Sequence, residues 1–229
     1  MEKAEHPLQT VKQMIMANQD ISQLHAEALE LLKQLIATPS FSKEENETAE
    51  ILIHFFAQKG IEHFRVGNNV YAKNKFYDAS KPSVLLNSHH DTVKPNAKYT
   101  KDPFEPIIED GKLYGLGSND AGGCLVSLIA TFLYYYEKEH LSHNVVFAAS
   151  AEEEISGVNG IELVLPYLGN INFGIVGEPT KMEMAVAERG LMVIDCIAQG
   201  KAGHAARKEG VNALYIAVDD IEWIRNYKF

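Results

Sequence analysis

Three short apolar runs, Val84 to Leu86, Val145 to Ala149 and Phe173 to Val176, are separated by stretches of helical period, and each is followed within a few residues by acidic or imidazole side chains. Runs of this length read as buried strands, the first one opening after the turn signal Lys81-Pro82. Strands alternating with helices predict an α/β fold, a mainly parallel sheet flanked by helices. Between the strands, Leu24, Ala28, Leu31, Leu32 and Leu35 give the segment from Ile21 to Ile36 a helical stripe that Thr38-Pro39-Ser40 ends. A second helix is expected over Glu44 to Gln58, stopped by Gly60, and a third over Ile155 to Leu168, stopped by Gly169. The most apolar stretch, Ala121 to Tyr136, contains Ser127 and Thr131 and is shorter than the roughly 20 residues that cross a bilayer, so it reads as a buried helix.

After Pro179 the pattern changes. Met184 to Glu188 and Leu191 to Ala198 flank Arg189-Gly190 like the arms of a hairpin, and Val211, Leu214, Val218, Ile221 and Ile224 line one face of a last helix. A hairpin and one helix are too little for a secure core. The expected organisation is therefore a loose extension over residues 1–19, a first domain over 20–180, and the incomplete beginning of a second, smaller α+β domain over 181–229.

With 21 Lys and Arg against 31 Asp and Glu, the net charge of -10 opposes binding to nucleic acid or to an anionic membrane surface. Residues 1–19 lack the apolar run of a secretory signal. Cys124 and Cys196 have no Cys-x-x-Cys spacing and build no disulfide framework, which fits a reducing cytoplasm.

The chemistry-bearing residues sit where strands end. His89-His90-Asp91 follows the first run, Glu152-Glu153-Glu154 the second and Glu178 the third, while Asp120 opens a helix after the glycine loop Gly115-Leu116-Gly117-Ser118-Asn119. Ligands of open α/β sheets bind beyond the carboxyl ends of the strands, so parallel strands bring these groups to one edge. Each alone has a plainer reading: Asp120 is an ordinary helix N-cap, Glu152 to Glu154 a solvated charge run, His89 a hydrogen-bonded surface histidine, and Glu178-Pro179 a turn. All four would have to coincide. Five carboxylates gathered at one edge repel one another without a cation, and carboxylates with one imidazole and no thiolate suit zinc, manganese or cobalt.

The motifs Ser88-His89-His90-Asp91-Thr92-Val93, Gly115 to Asp120, Glu152-Glu153-Glu154, Val176-Gly177-Glu178-Pro179-Thr180 and Gly203-His204-Ala205-Ala206 resemble, in order and spacing, those of the dinuclear zinc aminoacylases and peptidases of the M20 type. The resemblance runs from about Ile21 to the end of the chain. Within the family it is nearest to the acetylornithine deacetylase branch, with the succinyl-diaminopimelate and succinylornithine desuccinylases next to it. It implies two Zn2+ ions per complete site, with Co2+ or Mn2+ as substitutes, bridged by Asp120, one held by His89 and Glu178 and the other by Glu154. It also implies Glu153 as general base, Asp91 as the partner that orients His89, and His204 as an oxyanion donor from the second domain, often of a partner subunit. His90, on the opposite side, is expected to be structural.

Two departures stand out. Glu152 replaces the family's usual Asp, and a final His that completes the metal shell of Glu154 has no counterpart by position. The sequence thus reads as a fragment or as one part of a larger assembly, inactive alone. The expected reaction is hydrolysis of the amide of a small N-acyl amino acid, N-acetylornithine first, in a cytoplasmic homodimer joined through the second domain. A dipeptidase or carboxypeptidase on the same scaffold is the enzymatic alternative, and an inactive binding or oligomerisation module the non-enzymatic one.

Overall fold

The computed structural model describes residues 7–228 apart from 188, 191, 205 and 208, with side chains from residue 21 onward. The chain divides into two compact units, one ending at Glu183 and the other starting at Met184. The first carries helices α1 (Pro7–Ile36), α2 (Asn46–Gln58), α3 (Cys124–Tyr136) and α4 (Ile161–Leu168). Its strands are β1 (His63–Val66), β2 (Asn69–Lys73), β3 (Ser83–His89), β4 (Ile107–Glu109), β5 (Lys112–Tyr114), β6 (Asn144–Ser150) and β7 (Ile171–Val176). Residues 7–19, expected as a loose extension, are helical instead. Pro7 stands at the first helical position, where its missing N–H is no loss, and nothing in the following residues breaks the helix before Ile36.

The main sheet has the order β1-β2-β6-β3-β7, with β6, β3 and β7 mutually parallel and β2 and β1 added antiparallel at one edge. The sheet is therefore mixed around a parallel core. The antiparallel pair went unread in the sequence although its turn is a recognisable signal: Val66 pairs with Asn69 across Gly67-Asn68, with Gly67 at φ 61°. A separate ribbon, β4-β5, turns at Asp110-Gly111, both with positive φ, the conformation that Asp-Gly favours. The helix expected from Ile155 begins only at Ile161, because residues 153–155 form a single 3₁₀ turn and a loop follows.

Side-chain alternation along the strands builds two cores. Val70, Ala72, Leu86, Phe147 and Ala149 face α1, α2 and α3, which contribute Leu31, Leu52, Phe56, Leu125, Ile129 and Phe132. Tyr71, Leu85, Val146 and Ala148 face Val164 and Leu168 of α4. The result is a helix–sheet–helix sandwich centred on β6 and β3, while β7, expected as a buried strand, is an edge strand whose Phe173, Ile175 and Val176 are exposed.

The second unit contains α5 (Ala213–Asn226), capped by Asn212, whose side chain accepts from the Leu214 N–H at 3.0 Å. Lys201 and Val211 form a bridge that closes the loop carrying His204. The hairpin expected over 184–198 is not formed among the described residues, where no strand is present; residues 188 and 191, inside its arms, lie outside them. Two strands alone bury too little to hold a ladder together. No described helix is long and apolar enough to cross a membrane.

Phe56 is fully buried and its ring meets those of Phe132 at 6.2 Å and Phe147 at 5.6 Å, joining α2, α3 and the sheet. Phe56→Ala is expected to cost about 3–5 kcal/mol. Urea unfolding of the two proteins, compared at equal m-value, measures it.

Candidate metal centre

The β3–β6 register pairs His89 with Ser150, so these two strands end level, and β7 pairs Val176 with Asn87 beside them. Each strand then releases its polar residues at the same edge: His89 at the end of β3, Glu153 and Glu154 just beyond β6, and Glu178 just beyond β7. Asp120 arrives from the glycine loop. That loop packs so tightly that a Cβ on Gly117 would stand 2.7 Å from the Thr92 methyl and one on Gly122 would stand 2.5 Å from the Gly117 carbonyl oxygen.

His89 is 1% exposed, and its Nε2 lies 3.2 Å from Asp120 Oδ1, 3.8 Å from Glu153 Oε2 and 3.9 Å from Glu178 Oε2. Its other nitrogen, Nδ1, meets the Asp91 backbone carbonyl at 2.9 Å and the Asp91 carboxylate at 3.4 Å. The resemblance implies Asp91 as the orienting residue, and of its two acceptors the backbone carbonyl is the nearer, because β3 ends at His89 and the chain turns. With Nδ1–H given to Asp91, Nε2 is the nitrogen presented to the carboxylates.

Asp91 has no exposed surface. Its Oδ2 accepts from the Ser42 hydroxyl at 2.7 Å and the Glu154 N–H at 3.2 Å, and Oδ1 accepts from the Glu153 N–H at 3.1 Å. Burial raises its pKa, but His89, Ser42 and the Glu153 amide outweigh that and hold it below the usual carboxylate range.

The electrostatics of the remaining groups are those of a site crowded with negative charge. Burial opposes a charged His89, yet its hydrogen bond to Asp91 and the charges of Asp91, Glu178 and Glu153 push it up to about 9. Burial raises Glu178 to about 7, partly offset by His89 and reinforced by Glu153, Asp120 and Glu154. Glu154 is raised by burial and then by Asp120. In the absence of metal, a proton on His89 is the cation among these carboxylates.

Two sets of donor atoms lie within 4.8 Å of one another, His89 with Asp120 and Glu154, and His89 with Glu153 and Glu178. A neutral imidazole nitrogen surrounded by carboxylate oxygens, with its tautomer set from behind, is a donor set that suits a divalent cation of the zinc, manganese or cobalt type. His89 is common to both groups, one joining it to Asp120 and Glu154 and the other to Glu178 and Glu153.

Asp120 is not a helix cap. It lies in the turn Ser118–Gly123 ahead of α3 with non-helical backbone (φ -111°, ψ 104°), makes no capping bond, and presents its carboxylate to His89. His90 is buried between the Asn68 carbonyl, 2.9 Å from Nε2, and the Thr48 hydroxyl, 2.9 Å from Nδ1, and burial lowers its pKa, so it is a neutral structural group. Glu152 turns away from the site and accepts from the Asn159 side chain at 2.9 Å. His204 belongs to the second unit, where its Nδ1 accepts from the Ala206 N–H at 3.2 Å. Beside Asp120 and Glu154 opens a cleft of about 460 Å³, bordered by Thr92, Tyr99, Lys101, Asp102 and Leu116.

The sequence model of peptidase family M20/M25/M40 matches residues 85–220, more than half of the chain and the whole of this edge. The chain belongs to that family. Similar M20 relatives include an acetylornithine deacetylase of Proteus mirabilis, 30% identical over 84% of this chain and 53% of that protein. A succinyl-diaminopimelate desuccinylase of Wolbachia pipientis is 28% identical over 88% of this chain and 54% of that protein. The chain thus spans about half the length of the curated relatives it matches. Among solved structures, an M20 metallo-carboxypeptidase of Sulfolobus solfataricus aligns with a TM-score of 0.53 at 26% identity, covering 66% of this chain and 37% of that one. A tripeptidase of Staphylococcus aureus aligns with a TM-score of 0.57 at 22% identity over 86% of this chain and 56% of that one, and shares the fold.

Metal-free M20 protein should lose stability as the pH rises. The native state binds the His89 proton more tightly than the unfolded chain, so its contribution is full below 6.5 and lost through about 9. Glu178 acts in the same direction, from 4.5 to about 7, since its raised native pKa makes ionisation costly. Asp91, with its lowered pKa, contributes fully throughout this range. Thermal melting of metal-free and zinc-loaded protein between about pH 6 and pH 9 should show a falling Tm for the first and a much flatter one for the second. Equal slopes would contradict the assignment of His89 as the group that exchanges proton for metal.

Proposed function

We propose that the polypeptide carrying this chain is a metal-dependent amidohydrolase that cleaves small N-acyl amino acids, with N-acetylornithine as its substrate. The observation that carries the reading is the His89 Nε2 atom, oriented by Asp91 and facing Asp120, Glu153 and Glu178 within 3.9 Å. His89, Asp120, Glu154 and Glu178 would hold two zinc ions. When bound, the ions supply positive charge that polarises an amide carbonyl and acidifies water. Glu153 takes the proton of the attacking water and returns it to the leaving nitrogen as the C–N bond breaks, giving acetate and the free amine. His204 donates a hydrogen bond to the developing oxyanion, a contribution of about 2.7–4 kcal/mol for one donor.

The similarity to an acetylornithine deacetylase supports the choice of substrate and, with it, a role in arginine biosynthesis. A succinyl group in place of acetyl is the second reading, favoured by the similarity to a desuccinylase. A homodimer joined through the second unit would deliver His204 to the partner's site. Both cysteines are free, in keeping with a cytoplasmic setting.

The ratio of kcat/KM for N-acetylornithine, N-succinyl-diaminopimelate and a simple dipeptide, measured on the full-length protein, tests the substrate. A preference for the dipeptide would defeat the deacylase reading. Glu153→Gln should abolish turnover, a loss of about a hundredfold or more, with metal content unchanged by elemental analysis; loss of zinc would instead make Glu153 a ligand. If His204 acts across the dimer, mixing inactive His204→Ala and Glu153→Gln protomers should restore activity in hybrid sites. No recovery after demonstrated subunit exchange would confine His204 to its own chain.

A further inference from the structure

Glu45, in the turn before α2, is fully buried although the chemistry above gives it no task. Its Oε1 accepts from the Lys43 N–H at 2.7 Å and from the Glu152 N–H at 3.1 Å, and its Oε2 accepts from Asn68 Nδ2 at 2.8 Å. The bond to Glu152 joins residues 107 positions apart and reaches the amide next to Glu153. We propose that Glu45 is a positioning residue for the Glu153 side chain, acting through the backbone of the turn that carries it; the proposal rests on the reading of Glu153 as the proton-transfer group.

The turn has no ladder to hold it. β6 ends at Ser150, and Glu152 adopts the left-handed conformation, φ 52° and ψ 24°. In place of strand pairing, four consecutive amides are each held by a side chain from elsewhere in the first unit. Asn69 Oδ1 accepts from Ala151 at 2.9 Å, Glu45 from Glu152, and the two Asp91 oxygens from Glu153 and Glu154. Asp91 fixes the far end of the turn and also His89, whereas Glu45 fixes the residue at which the chain reverses.

Glutamine cannot replace it cleanly. One end of the Glu45 side chain faces two N–H donors and the other faces the Asn68 amide nitrogen. The Asn68 amide cannot flip to suit a new donor, because its Oδ1 already accepts from Arg65 at 2.8 Å. Glu45→Gln therefore leaves a donor facing a donor with almost no change of volume.

The test uses the full-length protein loaded with zinc, and dipeptides beside N-acyl amino acids as substrates. Glu45→Gln should lower kcat about ten- to hundredfold, as expected for a misplaced reacting group, with KM within about twofold and metal content unchanged. Combined with Glu153→Gln it should add no further loss, since it acts through that residue. Amide hydrogen exchange should quicken in residues 151–154, a readout independent of turnover. Unchanged kcat per bound metal with only a lower Tm, a multiplicative loss in the double variant, or unchanged exchange would each overturn the proposal. If Glu45→Gln does not fold, Asn68→Ala removes only the donor to Oε2 and its own link to Arg65, and should lower kcat severalfold with metal retained; full kcat would overturn it too. Cleavage of dipeptides but of no N-acyl amino acid would defeat the substrate reading alone, and the same ratios are then read on the dipeptide.

Discussion

A carboxylate with no exposed surface needs its lone pairs engaged, and Asp91 meets that need with the Ser42 hydroxyl, the Glu153 and Glu154 amides and the His89 ring. Those partners come from the loop before α2, the turn after β6 and the end of β3. Removing one partner of a buried charged group costs about 3–5 kcal/mol, far more than a surface pair contributes. The geometry of the metal edge is therefore tied to the stability of the fold: the contact that orients His89 also secures the residues facing it. A change at Asp91 would loosen the His89 imidazole and two glutamates together, which separates it from a change at any one of them.

The sheet supplies the rest of the alignment. Because β3, β6 and β7 run parallel, their carboxyl ends lie side by side and deliver like charges to one place. Burial first, and then the neighbouring carboxylates, raise Glu154 and Glu178, while the hydrogen bond to Asp91 and the surrounding negative charges raise His89 against its own burial. A cation relieves all three at once. Repulsion of this kind would favour a bound cation at this edge, and the water excluded around the buried His89 would strengthen the attraction.

β3 and β6 were legible in the sequence because their side chains have apolar partners on both faces and so read as continuous runs, whereas β7 shows the same kind of run although it is an edge strand with Phe173, Ile175 and Val176 exposed. The antiparallel β1 and β2, with the polar Arg65, Asn69 and Lys73 among their residues, show no such run, and only the Gly67-Asn68 turn betrays them. The ligand candidates could be read because each directly follows a recognisable element. Glu45, Asn69 and Ser42 could not, since what they do depends on partners 107, 82 and 49 positions away. Asp120 alone reads as a cap for a related reason: glycine before a helix suggests one, whereas its backbone is non-helical, four residues ahead of Cys124, and its carboxylate meets His89, a partner 31 positions away.

Glu152, Glu153 and Glu154 show how far context outweighs residue type. Composition makes them one charge run, yet Glu152 is 6% exposed while the Glu153 side chain is 52% exposed. The left-handed backbone at Glu152 sends its side chain back toward Asn159 and the Glu153 side chain toward His89. A non-glycine residue in that conformation is held there by its surroundings, and the hydrogen bonds around it are of the required kind: Glu45 on its amide, Asn159 on its carboxylate, and the Gly157 amide on its carbonyl at 2.8 Å. A Cβ at position 157 would fall 2.1 Å from Glu152 Oε2, so Gly157 is what lets the loop close over that side chain. It follows that the direction of Glu153 is set less by residue 153 than by its neighbour. The path of that turn then rests on the buried acceptors Asn69, Glu45 and Asp91, whose side chains take up its amides.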